Sequence, residues 1–307
     1  MLRTVVLSVT GNPLVRGLFG SRGPVRSLAL RFVAGETLED ALRVVDEVRS
    51  SGRLVTVDHL GENVTTPAEA RSAATDYVKV LERAPQSEGL NVAVKLTQLG
   101  LDLAPDLALD NTGAVVAAAA KLGATVTVDM ESSGYVTAIL DIVRRLHVSH
   151  PSVGVALQAS LHRSGKDLEE LIEAGVPVRL CKGAYREPSH VAYPRKSQVD
   201  ANYAGMLEML LATPGGYPMV ATHDPALVAR AKRIVAATGR PRDSFEFQML
   251  YGVRPDLQTA LARQGYRMRV YVPYGSEWYP YLTRRMAERP ANLVFFLSHL
   301  RARSGRS

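Results

Sequence analysis

The sequence predicts one (β/α)8 barrel, and three observations carry that expectation. Eight short apolar runs recur along the 307 residues, most of them end in a charged or hydrogen-bonding residue, and helix-patterned sequence separates them. Strands alternating with helices form parallel βαβ units, and eight such units close into a barrel whose reactive groups gather at the C-terminal ends of the strands. A barrel of roughly 250 residues plus a short extension accounts for the chain. The expected division is a basic helical N-terminal segment over 1–35, a catalytic barrel over 36–300 and a basic tail over 301–307, with extra N-terminal helices and a final helix over the barrel mouth.

In order, the runs are Leu54–Leu60, Asn91–Thr97, Thr125–Glu131, Val153–Ser160, Val176–Gly183, Tyr217–Asp224, Phe245–Leu250 and Arg267–Val272. Side chains alternate across a strand, so each run divides into two faces. The first places Thr56 and Asp58 on one face. The second sets Ala93, Lys95 and Thr97 against Val92, Val94 and Leu96, and the third sets Thr127, Asp129 and Glu131 against Val126, Val128 and Met130. In the fourth, Gly154, Ala156, Gln158 and Ser160 oppose Val153, Val155 and Leu157. The fifth contributes Arg179 and Cys181, the seventh Glu246 and Gln248, and the eighth Arg267, Arg269 and Tyr271.

Helices must cover the outside of a barrel, so the apolar faces point outward and the polar faces inward. An ordinary barrel lumen is filled with branched aliphatic residues. This one is expected to hold Asp58, Lys95, Asp129, Arg179, Glu246 and Arg269, three acids against three bases. Buried charges are tolerated when paired and hydrogen-bonded, and a polar lumen suits a wide, flat, hydrogen-bonding cofactor above it.

After the eighth run, Val272 to Pro280 reads as a turn and a helix start with Ser276 as N-cap. Tyr281, Arg284, Arg285 and Glu288 then fall at i, i+3, i+4 and i+7, one stripe of that helix. Guanidinium groups bind carboxylates and phosphates bidentately, so the arginine pair forms a clamp for an oxyanion.

Composition narrows the function. The only cysteine, Cys181, excludes internal disulfides and Cys-rich metal sites, and a cytoplasmic protein is expected. The formal charge of +7 concentrates at the ends: five arginines in residues 1–35 and Arg301, Arg303 and Arg306 leave 37 − 8 = 29 basic against 30 acidic residues elsewhere. Such ends suit an anionic membrane surface better than nucleic acid, which needs aromatics interleaved with cations along one face. The chain lacks G-x-G-x-x-G, Walker A, H-E-x-x-H and G-x-S-x-G motifs, and His147 and His150, placed in a loop, lack a carboxylate partner, so no metal is expected.

Read in order, the motifs resemble the proline dehydrogenase family of flavoenzymes. The residues that carry this are Asp58-His59-Leu60-Gly61-Glu62, Val94-Lys95-Leu96-Thr97, Val128-Asp129-Met130-Glu131, Leu157-Gln158-Ala159, Arg179 to Tyr185, Ala221-Thr222-His223-Asp224, Phe245-Glu246-Phe247-Gln248, and Tyr281 to Arg285 with Glu288. The resemblance implies a distorted barrel with FAD at the C-terminal ends of the strands. It further implies oxidation of L-proline to 1-pyrroline-5-carboxylate by hydride transfer to the flavin, with electrons passed to a membrane quinone.

The same resemblance places Lys95, Arg284 and Arg285 around the proline carboxylate, lines the substrate pocket with Asp129 and Tyr271 and packs Tyr185 and Tyr281 beside the proline ring; Asp129 and Arg179 are the expected catalytic residues, Asp129 as organiser of the site. It implies that Arg179 lies near flavin N5, that Met130, Gln158, Lys182, Gly183, Ala184, Thr222, His223 and Gln248 contact FAD, and that Glu62 and Glu288 pair with Lys95 and an arginine. Cys181 departs from the valine common in the family. One alternative stays open, a Schiff-base aldolase using Lys95 or Lys182 as its amine.

Overall fold

A computed structural model of the chain describes residues 29–84, 89–185 and 187–288, except for the side chains of 284–288. Eight parallel strands close into a barrel in sequence order, β1 pairing with both β2 and β8. The strands are β1 Leu54–His59, β2 Asn91–Val94, β3 Thr125–Val128, β4 Val153–Gln158, β5 Val178–Cys181, β6 Pro218–Ala221, β7 Glu246–Leu250 and β8 Arg267–Tyr274. All eight apolar runs therefore form strands of one (β/α)8 barrel.

Helix α1 (Leu38–Ser50) precedes the barrel. Each strand is then followed by a helix: α2 Pro67–Arg83, α3 Pro105–Lys121, α4 Val136–Ser149, α5 Ser164–Glu173, α6 Lys196–Ala212, α7 Pro225–Thr238, α8 Pro255–Arg263 and α9 Trp278–Glu288. Local chemistry starts these helices. Thr37 and Thr66 form capping boxes with Asp40 and Glu69, and α2, α3, α7 and α8 open on proline, whose fixed φ suits a first helical position.

The outward strand faces, such as Val55 and Val57, Val92 and Val94, and Val126 and Val128, are at most 1% exposed, and they merge with the helices' apolar stripes into one core. A second, smaller cluster seats α9: Trp278, Tyr279, Tyr281 and Leu282 pack against Ala29, Phe32, Val33 and Leu60. Backbone bonds fix the approach to it, with Ala34 N donating to Pro273 O and Gly275 N to Gly35 O. This places the last helix beside the end of β1, at the mouth.

Three local expectations need correction. Strand β8 continues two residues past Val272 because Pro273 and Tyr274 stay in register with Asp58 and His59, so α9 begins at Trp278 and Ser276 is not its N-cap. His147 lies in the last turn of α4, where Nδ1 is 3.1 Å from Val153 O, and only His150 begins the loop. The segments around Lys95 and Asp129 leave the strand ladder at Val94 and Val128, so both side chains sit just beyond the strand ends.

Candidate active site

The inward faces meet as a continuous hydrogen-bonded stack. Deepest in it, Arg269 binds both oxygens of Glu246, at 2.6 and 3.0 Å, and its Nη1 donates to Val55 O and Gly89 O. Glu246 is fully buried; desolvation favours its neutral form, but the Arg269 guanidinium outweighs this and holds its pKa below the usual carboxylate value. Gln248 forms the next step, its Nε2 donating to Glu246 Oε1 at 2.5 Å and its Oε1 accepting from Arg179 Nε at 2.7 Å.

Arg179 spans the lumen from β5. Its Nη1 donates to Asp129 Oδ1 at 2.6 Å and its Nη2 to Asn91 Oδ1 at 3.3 Å. Asp129 Oδ2 accepts from Tyr271 Oη at 2.6 Å and lies 3.8 Å from Lys95 Nζ, while Lys95 donates to Asp58 at 2.6 Å. The six expected lumen charges thus resolve into three pairs: Asp58 with Lys95, Asp129 with Arg179, Glu246 with Arg269.

Exposure tells which end of the stack faces the mouth. The Asp58 side chain is 1% exposed and that of Asp129 is 16%. Asp129 and Tyr271, the more open members of the network, are therefore the parts that face the mouth, with Arg179 directly behind Asp129. Burial alone would lower the pKa of Lys95, but Asp58 and then Asp129 more than compensate, and its pKa is held above that of an ordinary lysine. Tyr271 is pushed above the usual 10 by burial and by the Asp129 and Asp58 carboxylates, so it stays a neutral donor to Asp129 at physiological pH.

This protonation state weighs against the aldolase alternative, which needs a lysine depleted of its proton. Lys182 is no better suited, being 31% exposed and paired with Asp200 at 2.6 Å and Asp224 at 3.5 Å.

The rim carries a second set of polar groups. Gln158 Nε2 donates to Glu131 O, and its Oε1 accepts from Ala184 N at 3.3 Å. Glu131 in turn takes Thr97 N and Oγ1, and burial raises its pKa. His223 Nε2 accepts from Leu250 N, so the neutral imidazole carries its proton on Nδ1. Met130 and Thr222 are buried. Gly183 is required by its backbone: φ is +108°, and a Cβ there would lie 2.2 Å from Ser160 Oγ. The loop after β5, which bears Tyr185, is pinned by Glu187, whose carboxylate accepts from Ser133 N at 2.7 Å and Ser133 Oγ at 2.6 Å.

The structure adds three details to the sequence reading. Among the described residues, the carboxylates within 4 Å of Lys95 are Asp58 and Asp129, and Glu62 adds to their pull on its proton from further away. Gln248 spends both ends of its amide on Glu246 and Arg179. Asn91 also belongs to the site: strict alternation from Lys95 puts it on the inner face, where it accepts from Arg179. Arg284, Arg285 and Glu288 lie on α9 as their spacing implied, but their side chains fall outside the described residues. Residues 1–28 and 301–307, which hold most of the basic ends, also fall outside them.

A buried, charge-balanced floor with amide, hydroxyl, imidazole and ammonium groups at its rim fits a flat heterocycle that both donates and accepts hydrogen bonds. The donor set is consistent with a flavin. Among the described residues, no cluster of His, Cys, Asp and Glu could hold a metal ion, and no helix is long and apolar enough to cross a membrane.

Comparison with known proteins bears on the same residues. The family model for proline dehydrogenase matches residues 41–297. Proline dehydrogenase 1 of Bacillus subtilis is 39% identical over 97% of this chain and 98% of its own length. The proline dehydrogenase of Deinococcus radiodurans is 40% identical over 96% of each chain. Among solved structures, proline utilization A from Bdellovibrio bacteriovorus, inactivated by N-propargylglycine, superposes with a TM-score of 0.78 at 28% identity; the match covers 85% of this chain and 32% of that one.

Proposed function

The chain belongs to the proline dehydrogenase family, which carries out the first step of proline catabolism, and from that premise we propose that it oxidises L-proline to 1-pyrroline-5-carboxylate with bound FAD and passes the electrons to a quinone. The observation that carries this reading is the linked group of Lys95, Asp129, Arg179 and Tyr271 at the open end of a charge-balanced lumen. When bound, FAD supplies at N5 the acceptor for the hydride leaving the ring carbon next to the proline nitrogen.

The chain's own residues bind and align. Lys95, kept protonated by Asp58, receives the proline carboxylate together with Arg284 and Arg285 of α9. Fixing a carboxylate at several points orients the ring, and such pre-paid alignment is worth several kcal/mol of barrier. Asp129 organises the floor by holding Arg179, Tyr271 and Lys95 at once. Tyr185, Tyr271 and Tyr281 border the ring. Arg179 faces the flavin and favours the negative charge that reduction brings. Met130, Gln158, Lys182, Gly183, Ala184, Thr222, His223 and Gln248 line the cofactor's seat. Glu62 and Glu288 support the cationic groups of the clamp. The basic termini, grouped with the barrel in one catalytic unit, bring the protein peripherally to an anionic bilayer where a quinone resides.

An absorbance spectrum tests the reading. The purified protein is expected to show flavin bands that bleach on anaerobic addition of L-proline, and N-propargylglycine is expected to inactivate it. A colourless protein in which borohydride traps a carbonyl substrate on Lys95 or Lys182 would overturn the reading.

A further inference from the structure

Arg179 is held at all three of its guanidinium nitrogens, and only one of its partners is charged: Nη1 meets the Asp129 carboxylate, Nε meets Gln248 and Nη2 meets Asn91. The two amides cannot turn round. Gln248 directs its NH2 to Glu246, so its carbonyl oxygen faces Arg179. Asn91 Nδ2 donates to Thr125 Oγ1 at 2.8 Å and Thr127 Oγ1 at 3.1 Å, while its Oδ1 accepts from Thr56 Oγ1 at 3.0 Å and from Arg179. Asn91 is 3% exposed and its hydrogen-bonding capacity is fully used, tying strands β1, β2, β3 and β5 together.

A carboxylate at that position would satisfy Nη2 equally well and would cancel more of the guanidinium's charge. We propose that Asn91 is a positioning residue for the reaction: its neutral carbonyl fixes the plane of Arg179 without neutralising the positive charge that Arg179 presents to the flavin. This rests on the reading that Arg179 lies at the flavin. Asn91 itself touches neither substrate nor cofactor, and it acts through Arg179.

The test is the midpoint potential of the bound flavin in the FAD-loaded protein. In Asn91→Asp the Thr125 and Thr127 hydroxyls can turn from acceptors to donors, so the hydrogen bonds survive while a negative charge is added. The oxidised form is expected to gain at least tenfold in the two-electron equilibrium, a fall in potential of about 30 mV, and this shift is expected to vanish when Arg179 is already replaced in Arg179→Met. A purely structural role for Asn91 would change the melting temperature and leave the potential alone.

A second Asn91 variant and Arg179→Met by itself keep the outcomes distinct. If Asn91→Asp does not fold, Asn91→Ser, too short to reach Nη2, is expected to lower the potential as well, by loosening the guanidinium. An unchanged potential in whichever Asn91 variant folds, or an equal shift in the Arg179→Met background, overturns the proposal. If Arg179→Met alone leaves the potential unchanged, Arg179 does not lie at the flavin, and that reading fails first. If Arg179→Met lowers the potential and the Asn91 variants do not, only the proposal for Asn91 fails.

Discussion

Asp129 Oδ1 lies 2.6 Å from Arg179 Nη1, and the same carboxylate accepts from Tyr271 and faces Lys95. One acid thereby couples two cations and a phenol at the open end of the lumen. In Asp129→Ala, Arg179 and Lys95 lose a shared counter-charge and Tyr271 loses its acceptor. Turnover of proline is expected to fall at least tenfold, about 1.4 kcal/mol of barrier; steady-state kinetics within a few-fold of wild type would reduce Asp129 to a minor role.

The deepest pair makes a claim about stability. Breaking a buried ion pair by removing one partner costs about 3–5 kcal/mol, because the remaining charge is stranded. Arg269→Leu is expected to lose that much, since Glu246 is fully buried and both its oxygens are bound by Arg269. Urea denaturation measures it, and the double variant Glu246→Leu with Arg269→Leu should recover part of the loss. A single variant as stable as wild type would contradict the structure at this point.

His59 gives a pH dependence. It stacks on Tyr274 with ring centroids 4.9 Å apart, its buried Nδ1 has no hydrogen-bond partner among the described residues, and burial lowers its pKa below the ordinary 6.5. The unfolded chain therefore takes up this proton more readily than the folded one. Stability from the neutral ring is complete above pH 6.5 and drains away as pH falls through the lower folded value. Between pH 7 and 5 the melting temperature of wild type should drop further than that of His59→Phe, and parallel curves would remove His59 from the account.

The clamp on α9 is testable in kinetics. Arg284→Met is expected to raise the KM for proline more than tenfold, equivalent to about 1.4 kcal/mol. An unchanged KM would show that the substrate carboxylate is held elsewhere.

Much of this was legible in the chain because strands announce themselves by alternation, and here the inner face alternated with charge. That pattern alone points Asp58, Lys95, Asp129, Arg179, Glu246 and Arg269 inward, and they lie there as three pairs. Which acid meets which base was not legible, because pairing depends on the stagger between strands and on where each strand stops. Lys95 illustrates this: it stands one residue beyond β2, where Asp58 of the neighbouring strand is nearer than Glu62. Ser276 looked like a cap because a local signal cannot show that Pro273 and Tyr274 stay paired with β1. Asn91 was readable in principle, but an amide at the head of an apolar run draws no notice until its four partners are seen.

The pairing also divides the chain unevenly. Residues from β1 to β4 bring Asp58, Lys95 and Asp129 to the lumen, one more acid than base, and those from β5 to β8 bring Arg179, Glu246 and Arg269, one more base than acid. Neither half can satisfy its own interior. During synthesis the first half emerges with a carboxylate whose cation has not yet been made, so a half-barrel intermediate cannot dry its centre, and the ring must close before the interior can be sealed. Cut between β4 and β5, the two fragments would seek each other for charge as well as for apolar area.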